Sequence, residues 1–138
     1  MDEAIVELTR EWLVKADHDL KNASIVSRAP QGPLDTAIYH CQQAVEKALK
    51  GWLCWKGVAF ERTHDLRRLI NLAATTDPAF SRYQSSADIL TPYASIFRYP
   101  GLSGDPTPSR EEFDEAMNHA LGTYNFVLSL LPTHVRPA

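Results

Sequence analysis

Two short stretches carry side chains able to hold an anion. Arg62-Thr63-His64-Asp65, running on to Arg67-Arg68, opens a helical segment with an imidazole and three guanidinium groups close together. The first backbone N–H groups of a helix have no intrahelical partner, so arginines beside them make a phosphate site. The same residues have a plainer use, since His64 and Asp65 can simply help to cap that helix. Further on, Phe97-Arg98-Tyr99-Pro100-Gly101 ends another helical stretch. Arg98 there complements a helix C-terminus. Equally, an arginine followed by an aromatic ring at a helix-to-loop corner can fork onto a phosphate and stack a base. Lys47 and Lys50 stand on the polar side of the long helix that precedes both stretches, with Tyr39, His40, Gln43 and Glu46. That side reads as a solvated face that adds two cations to a basic corner. The candidate ligand-binding set is therefore His64, Asp65, Arg67, Arg98, Tyr99, Lys47 and Lys50.

Other chemistry finds no support in the spacing. No serine, cysteine or threonine has a recognisable partner base, and no pair of carboxylates stands out. The five histidines match no metal template. His18 lies between Asp17 and Asp19 on an exposed side, and His119 and His134 have no evident partner. No catalytic residue, metal or cofactor is assigned.

The net charge is −3, but it is unevenly placed. Between Gln42 and Leu72 lie Lys47, Lys50, Lys56, Arg62, Arg67 and Arg68 against Glu46, Glu61 and Asp65, six cations against three anions. That segment carries +3 and the remainder −6. A basic corner on an acidic chain suits a defined anionic ligand better than a long duplex. The 138 residues, 44% of them hydrophobic, suffice for one domain with a real core, residues 1–138. No apolar run approaches the roughly 20 residues of a membrane helix, and the acidic start does not resemble a secretory signal. Cys41 and Cys54 fall 13 residues apart on one expected helix, hence ~20 Å apart and too far to bridge. Free thiols of that kind imply a cytoplasmic setting.

The elements that must position these groups are helices throughout. The first spans about 2–28, with an apolar stripe of Ile5, Leu8, Trp12, Ala16, Leu20, Ala23 and Val26. The second spans about 35–56, capped by Asp35 and closed by Gly57. Its apolar arc covers half the circumference and includes Gln42, which must find a partner on a neighbouring helix. Thr63 caps a short third helix at about 65–74. A fourth stretch, about 78–97, must break at Thr91-Pro92. Ser109-Arg110-Glu111-Glu112 is a capping box that starts the last helix, whose core face is Phe113, Ala116, Met117, Ala120, Leu121, Tyr124, Val127, Leu128 and Leu131. From about residue 133 the tail is expected to fray. The result is an all-α, up-and-down antiparallel bundle of four to five helices. Phe126 and Leu130, with Val14 and Ile25, fall outside the stripes and suggest a symmetric homodimer contact.

At these residues the chain resembles the HEPN family. Asp19-Leu20 and Ala23 are similar to its "DL..A" element, and Tyr39-His40-Cys41-Gln42-Gln43-Ala44-Val45-Glu46-Lys47-Ala48-Leu49-Lys50 to its "QQAxEKxLK" helix. Thr63-His64-Asp65-Leu66 resembles its "THDL", and Tyr93 with Arg98-Tyr99-Pro100 its "Y…RYP" ending. The resemblance implies a helical bundle that often dimerises, a prokaryotic origin, and in many cases a partner minimal nucleotidyltransferase or a toxin–antitoxin pairing. It also implies, for the nuclease branch, an arginine followed four to six residues later by a histidine. Here positions 103–105 after Arg98 and 115–117 after Arg110 hold no histidine, and the other arginines fail as well.

The reading that follows is a non-catalytic protein that binds a nucleotide or RNA phosphate, or a nucleotidyltransferase, through its basic corner. A metal-independent ribonuclease toxin with a divergent active site, and a structural dimer without ligand, are the alternatives.

Overall fold

The computed structural model describes residues 2–102 and 104–138. Its long elements are α1 (Glu3–Arg28), α2 (Leu34–Lys56), α3 (Leu66–Thr76), α4 (Gln84–Leu90) and α5 (Arg110–Leu130). Short 3-10 turns occupy Pro78–Tyr83, Thr91–Ala94 and Thr133–Val135. No strand occurs among the described residues, so the all-α expectation holds. No helix among them is long and apolar enough to cross a membrane.

Directions follow from the side-chain pairs. Thr9 bonds Cys54 while Asp19 bonds Lys47, so α1 and α2 are antiparallel. Arg110 donates to Ser27 O at 2.6 Å, and Arg10 to His134 O at the other end, so α5 is antiparallel to α1. Gln42 bonds the carbonyl of His64 and Trp52 bonds Thr76, so α3 runs in the same direction as α2. The extended residues 57–65 make this possible, since nine residues can travel back along most of a helix of this length. That return carries His64 to the middle of α2. Leu13, Ile38, Leu49, Leu53, Leu66, Leu69, Phe80 and Leu90 are fully enclosed between the helices.

Local chemistry sets the ends. Gly57 closes α2 in the left-handed conformation (φ 69°), with Val58 N donating to Leu53 O at 2.9 Å. The capping box of α5 forms on both sides, Ser109 Oγ accepting from Glu112 N at 3.1 Å and Glu112 from Ser109 N at 3.0 Å. Asp65, not Thr63, is the N-cap of α3: its carboxylate accepts from Arg67 N at 3.0 Å, while Thr63 Oγ1 accepts from Asp65 N one step earlier. Likewise Pro33, not Asp35, occupies the N-cap of α2, and Asp35 lies in the first turn. The stretch after α3 is no single kinked helix. Asp77 caps the first 3-10 turn, and the chain tightens again at Pro92, whose missing N–H suits a first-turn position.

Three packing expectations are corrected. The buried face of α1 is Val6, Thr9, Leu13, Ala16, Asp19, Leu20, Ala23 and Ser27, leaving Leu8 48% exposed. Thr9 and Ser27 can be buried because their hydroxyls bond Cys54 Sγ and Ser24 O. Phe126 is not left over, since it stacks on Tyr83 with centroids 4.6 Å apart and meets Phe80 edge-on at 5.0 Å. Leu130 also packs on the core, Val14 is half-buried, and Ile25 remains in solvent. The tail is docked rather than frayed: Val135 is fully buried and Arg136 Nε donates to Leu131 O at 2.9 Å.

Candidate functional site

α2 carries a line of polar residues on a face the bundle covers. Gln42, Glu46 and Lys50 are all buried, each one turn beyond the last and therefore stacked. Burying them demands internal partners. Gln42 Nε2 donates to His64 O at 3.1 Å and to Glu46 Oε1 at 3.3 Å, and its own oxygen accepts from Gln43 at 2.7 Å. Glu46 takes Lys50 Nζ at 3.0 Å on one oxygen and His64 Nδ1 at 2.7 Å on the other. Gln42 thus meets its expected partner on the neighbouring segment. Glu46 and Lys50, read from the sequence as solvated, are an enclosed ion pair that anchors His64.

His64 itself is 70% exposed and looks into an open cleft of about 610 Å³. Its walls also include Tyr39, Asp65, Arg67, Thr91, Arg98 and Tyr99. α3 delivers Asp65 and Arg67 at its N-terminus, and the turns after α4 deliver Arg98 and Tyr99. Five of the seven residues expected at the site thus share one cleft. Lys47 and Lys50 do not: Lys47 Nζ is bound by Asp19 at 2.7 Å and Lys50 by Glu46. Their charges are consumed by buried carboxylates, which is why neither serves the cleft.

The Arg98 guanidinium lies 4.3 Å from the centroid of Tyr39 and 5.9 Å from that of Tyr99. Ring faces hold it in place without cancelling its charge. Arg67 is partly balanced, with Asp65 at 3.2 Å and Asp88 at 3.9 Å. Burial pushes the Asp65 carboxyl up, but hydrogen bonds from the side chain and backbone of Arg67, with that charge nearby, hold it below its ordinary value. The cleft lining therefore offers two guanidiniums and an imidazole against Asp65, itself committed to capping, with Asp88 behind Arg67.

Arg98 also borders a cavity of about 270 Å³ shared with Tyr39, His40 and Phe97, and one of about 400 Å³ shared with Tyr99 and the loop before α5. His40, placed by sequence on the solvated face of α2, stood outside the candidate set. Its Nδ1 lies 2.7 Å from Asp19 Oδ1, so Asp19 on α1 clamps two side chains of α2. His119, without an evident partner in the sequence, lies 2.8 Å from Ser86 Oγ. The signal that could have exposed the buried network is the four-residue step from Gln42 to Glu46 to Lys50: once Gln42 is placed on the apolar arc, the other two follow it. No three of His, Cys, Asp and Glu come together as a metal site among the described residues.

The family model described as HEPN domain matches residues 9–130. The chain belongs to the HEPN family. Among solved structures, this HEPN chain is similar to TT1696 from Thermus thermophilus, with a TM-score of 0.75 and 27% identity over 89% of this chain and 98% of that one. It is also similar to ST0689, described as an archaeal HEPN homologue, with a TM-score of 0.70 and 28% identity over 88% of this chain and 95% of that one. No curated protein matches it.

Proposed function

We propose that this HEPN protein binds a phosphate-bearing ligand, a nucleotide or single-stranded RNA, in the cleft between α3 and the turns after α4, and does so without cleaving it. The observation that carries the reading is the shared cleft: His64, Arg67 and Arg98 line it together with the rings of Tyr39 and Tyr99. Guanidiniums bind phosphate oxygens in pairs, and aromatic faces accept a base. A ligand at a hundredfold excess over its Kd stabilises the fold by about 2.7 kcal/mol. Thermal shift with AMP, ADP and a 5′-phosphorylated single-stranded RNA tests this. Arg98→Ala should remove the shift while leaving the unliganded midpoint unchanged, because Arg98 is exposed. No shift with any of the three refutes the reading.

A second reading, the metal-independent ribonuclease, has one observation in its favour. His64 and His40 each have Nδ1 fixed by a carboxylate at 2.7 Å, which leaves Nε2 of both for proton transfer. Against it, the two imidazoles border different cavities that share Tyr39 and Arg98, and catalysis needs both on one phosphate. Cleavage of single-stranded RNA that persists in EDTA and vanishes in His64→Ala would establish it.

The homodimer and the nucleotidyltransferase partner belong to the same proposal. With Phe126 and Leu130 in the core, Ile25 and Leu8 on α1 and Leu121 on α5 are exposed apolar residues able to support a symmetric contact. Sedimentation showing only monomer at micromolar protein refutes the dimer.

A further inference from the structure

Lys50 and His64, the two partners of Glu46, line a second cavity. It has a volume of about 450 Å³ and is lined by Trp12, Lys50, Phe60, Arg62, Thr63 and His64. The rings of Trp12 and Phe60 meet edge to face with centroids 6.2 Å apart. Lys50 Nζ stands 6.0 Å and 5.9 Å from those centroids, held there by the carboxylate whose other oxygen fixes His64. His64 lines both this cavity and the Arg98 cleft. One buried carboxylate therefore fixes a side chain at each of two adjoining spaces.

We propose that the Trp12–Phe60 cavity is a second subsite of the ligand site, receiving the base of a nucleotide whose phosphate lies at His64. The ligand is then a phosphate-bridged dinucleotide unit that spans both cavities. The inference rests on the function proposed above and adds to it the class of ligand. Aromatic faces stack any base, and flanking cations hold the connecting phosphate. Arg62, exposed at the rim, supplies that charge, and the His64 imidazole stands beside it. An apolar peptide side chain would cover the Arg62 guanidinium with nothing to bond it. A cationic ligand would meet its like charge.

A free dinucleotide and a longer strand present the same unit, and one titration series separates them. The probes are the 2′-deoxy forms of 5′-phosphoadenosine, its dinucleotide and its octanucleotide, which resist 2′-hydroxyl-dependent cleavage. Stacking one further base should tighten binding from mono- to dinucleotide roughly tenfold. Phe60→Ala should erase that gain and leave mononucleotide binding unchanged, whereas Arg98→Ala should weaken both. Trp12→Phe should abolish quenching of tryptophan emission by the dinucleotide. Affinity that climbs again at eight nucleotides assigns the site to a strand, and a plateau assigns it to a dinucleotide; either keeps the subsite. If Phe60→Ala lowers the thermal midpoint, Phe60→Leu, which keeps the bulk and loses the ring, takes its place. Mononucleotide binding that depends on Arg98 but gains nothing from the second nucleotide overturns the subsite alone, as does a gain that survives both aromatic substitutions. Binding of none of the probes overturns the functional reading and the subsite with it.

Discussion

Replacing Glu46 should cost far more than the solvated face assigned to it by sequence suggests. Glu46→Leu strips the counter-charge from Lys50, whose side chain is only 10% exposed. Removing one member of an enclosed pair typically costs about 3–5 kcal/mol, because the remaining charge stays desolvated. On a solvated face, the same i, i+4 pair would contribute about 0.3–0.5 kcal/mol. The two descriptions of this helix face therefore differ about tenfold, well beyond experimental error. Unfolding entropy near 2.1 cal/mol/K per residue gives about 0.29 kcal/mol/K for 138 residues. The midpoint should fall by about 10–17 °C. Thermal and urea unfolding followed by circular dichroism measure this, with an unchanged m-value confirming that the folded state is otherwise intact. Glu46→Leu combined with Lys50→Met removes both charges and should recover most of the loss. A single variant within 1 kcal/mol of the parent, or a double variant no more stable than the single, would show that Lys50 reaches water and would refute the enclosed pair.

Three further outcomes follow from the geometry. Burial and then the nearby Asp19 charge push the Cys41 thiol up to about 12, so at pH 8 it carries almost no thiolate; a thiol reagent followed by peptide mapping should label Cys41 only as the fold opens, and fast native labelling would contradict this. Asp65 is held below its ordinary range, so its charge contributes stability above the unfolded carboxylate value that is lost as pH falls through the folded one. Asp65→Asn keeps a capping oxygen and should be less stable than the parent at pH 7 but converge with it in strong acid, as urea midpoints across pH will show; a constant gap would exclude the charge as the cause. Val135→Ala should destabilise the fold by about 2 kcal/mol, because that side chain is fully buried; a loss below 0.5 kcal/mol would mean the tail is detached.

Helix identity was legible in the chain because it depends on local chemistry. The capping box at Ser109, the left-handed Gly57 and the break at Pro92 each act within a few residues, and each occurs where local rules require. The convergence of His64, Arg67 and Arg98 was legible only as adjacent motifs. What joins them is the return of residues 57–65 along α2, a consequence of how α3 packs.

Two of the misreadings share one cause. Apolar periodicity treats a polar side chain as outward-facing, yet packing encloses polar groups wherever partners complete their hydrogen bonds. Thr9 and Ser27 turned the buried face of α1 away from Leu8 in this way, and Glu46 and Lys50 turned a solvated stripe into an internal clamp. The sequence by itself determined which segments are helical, where they stop and that cations gather near one corner. Only the tertiary structure decided which of those cations a buried carboxylate takes up: Asp19 and Glu46 pair with Lys47 and Lys50, while the rings of Tyr39 and Tyr99 flank Arg98 at the cleft. Pairing between distant residues depends on helix register and rotation, and these are set by the whole core.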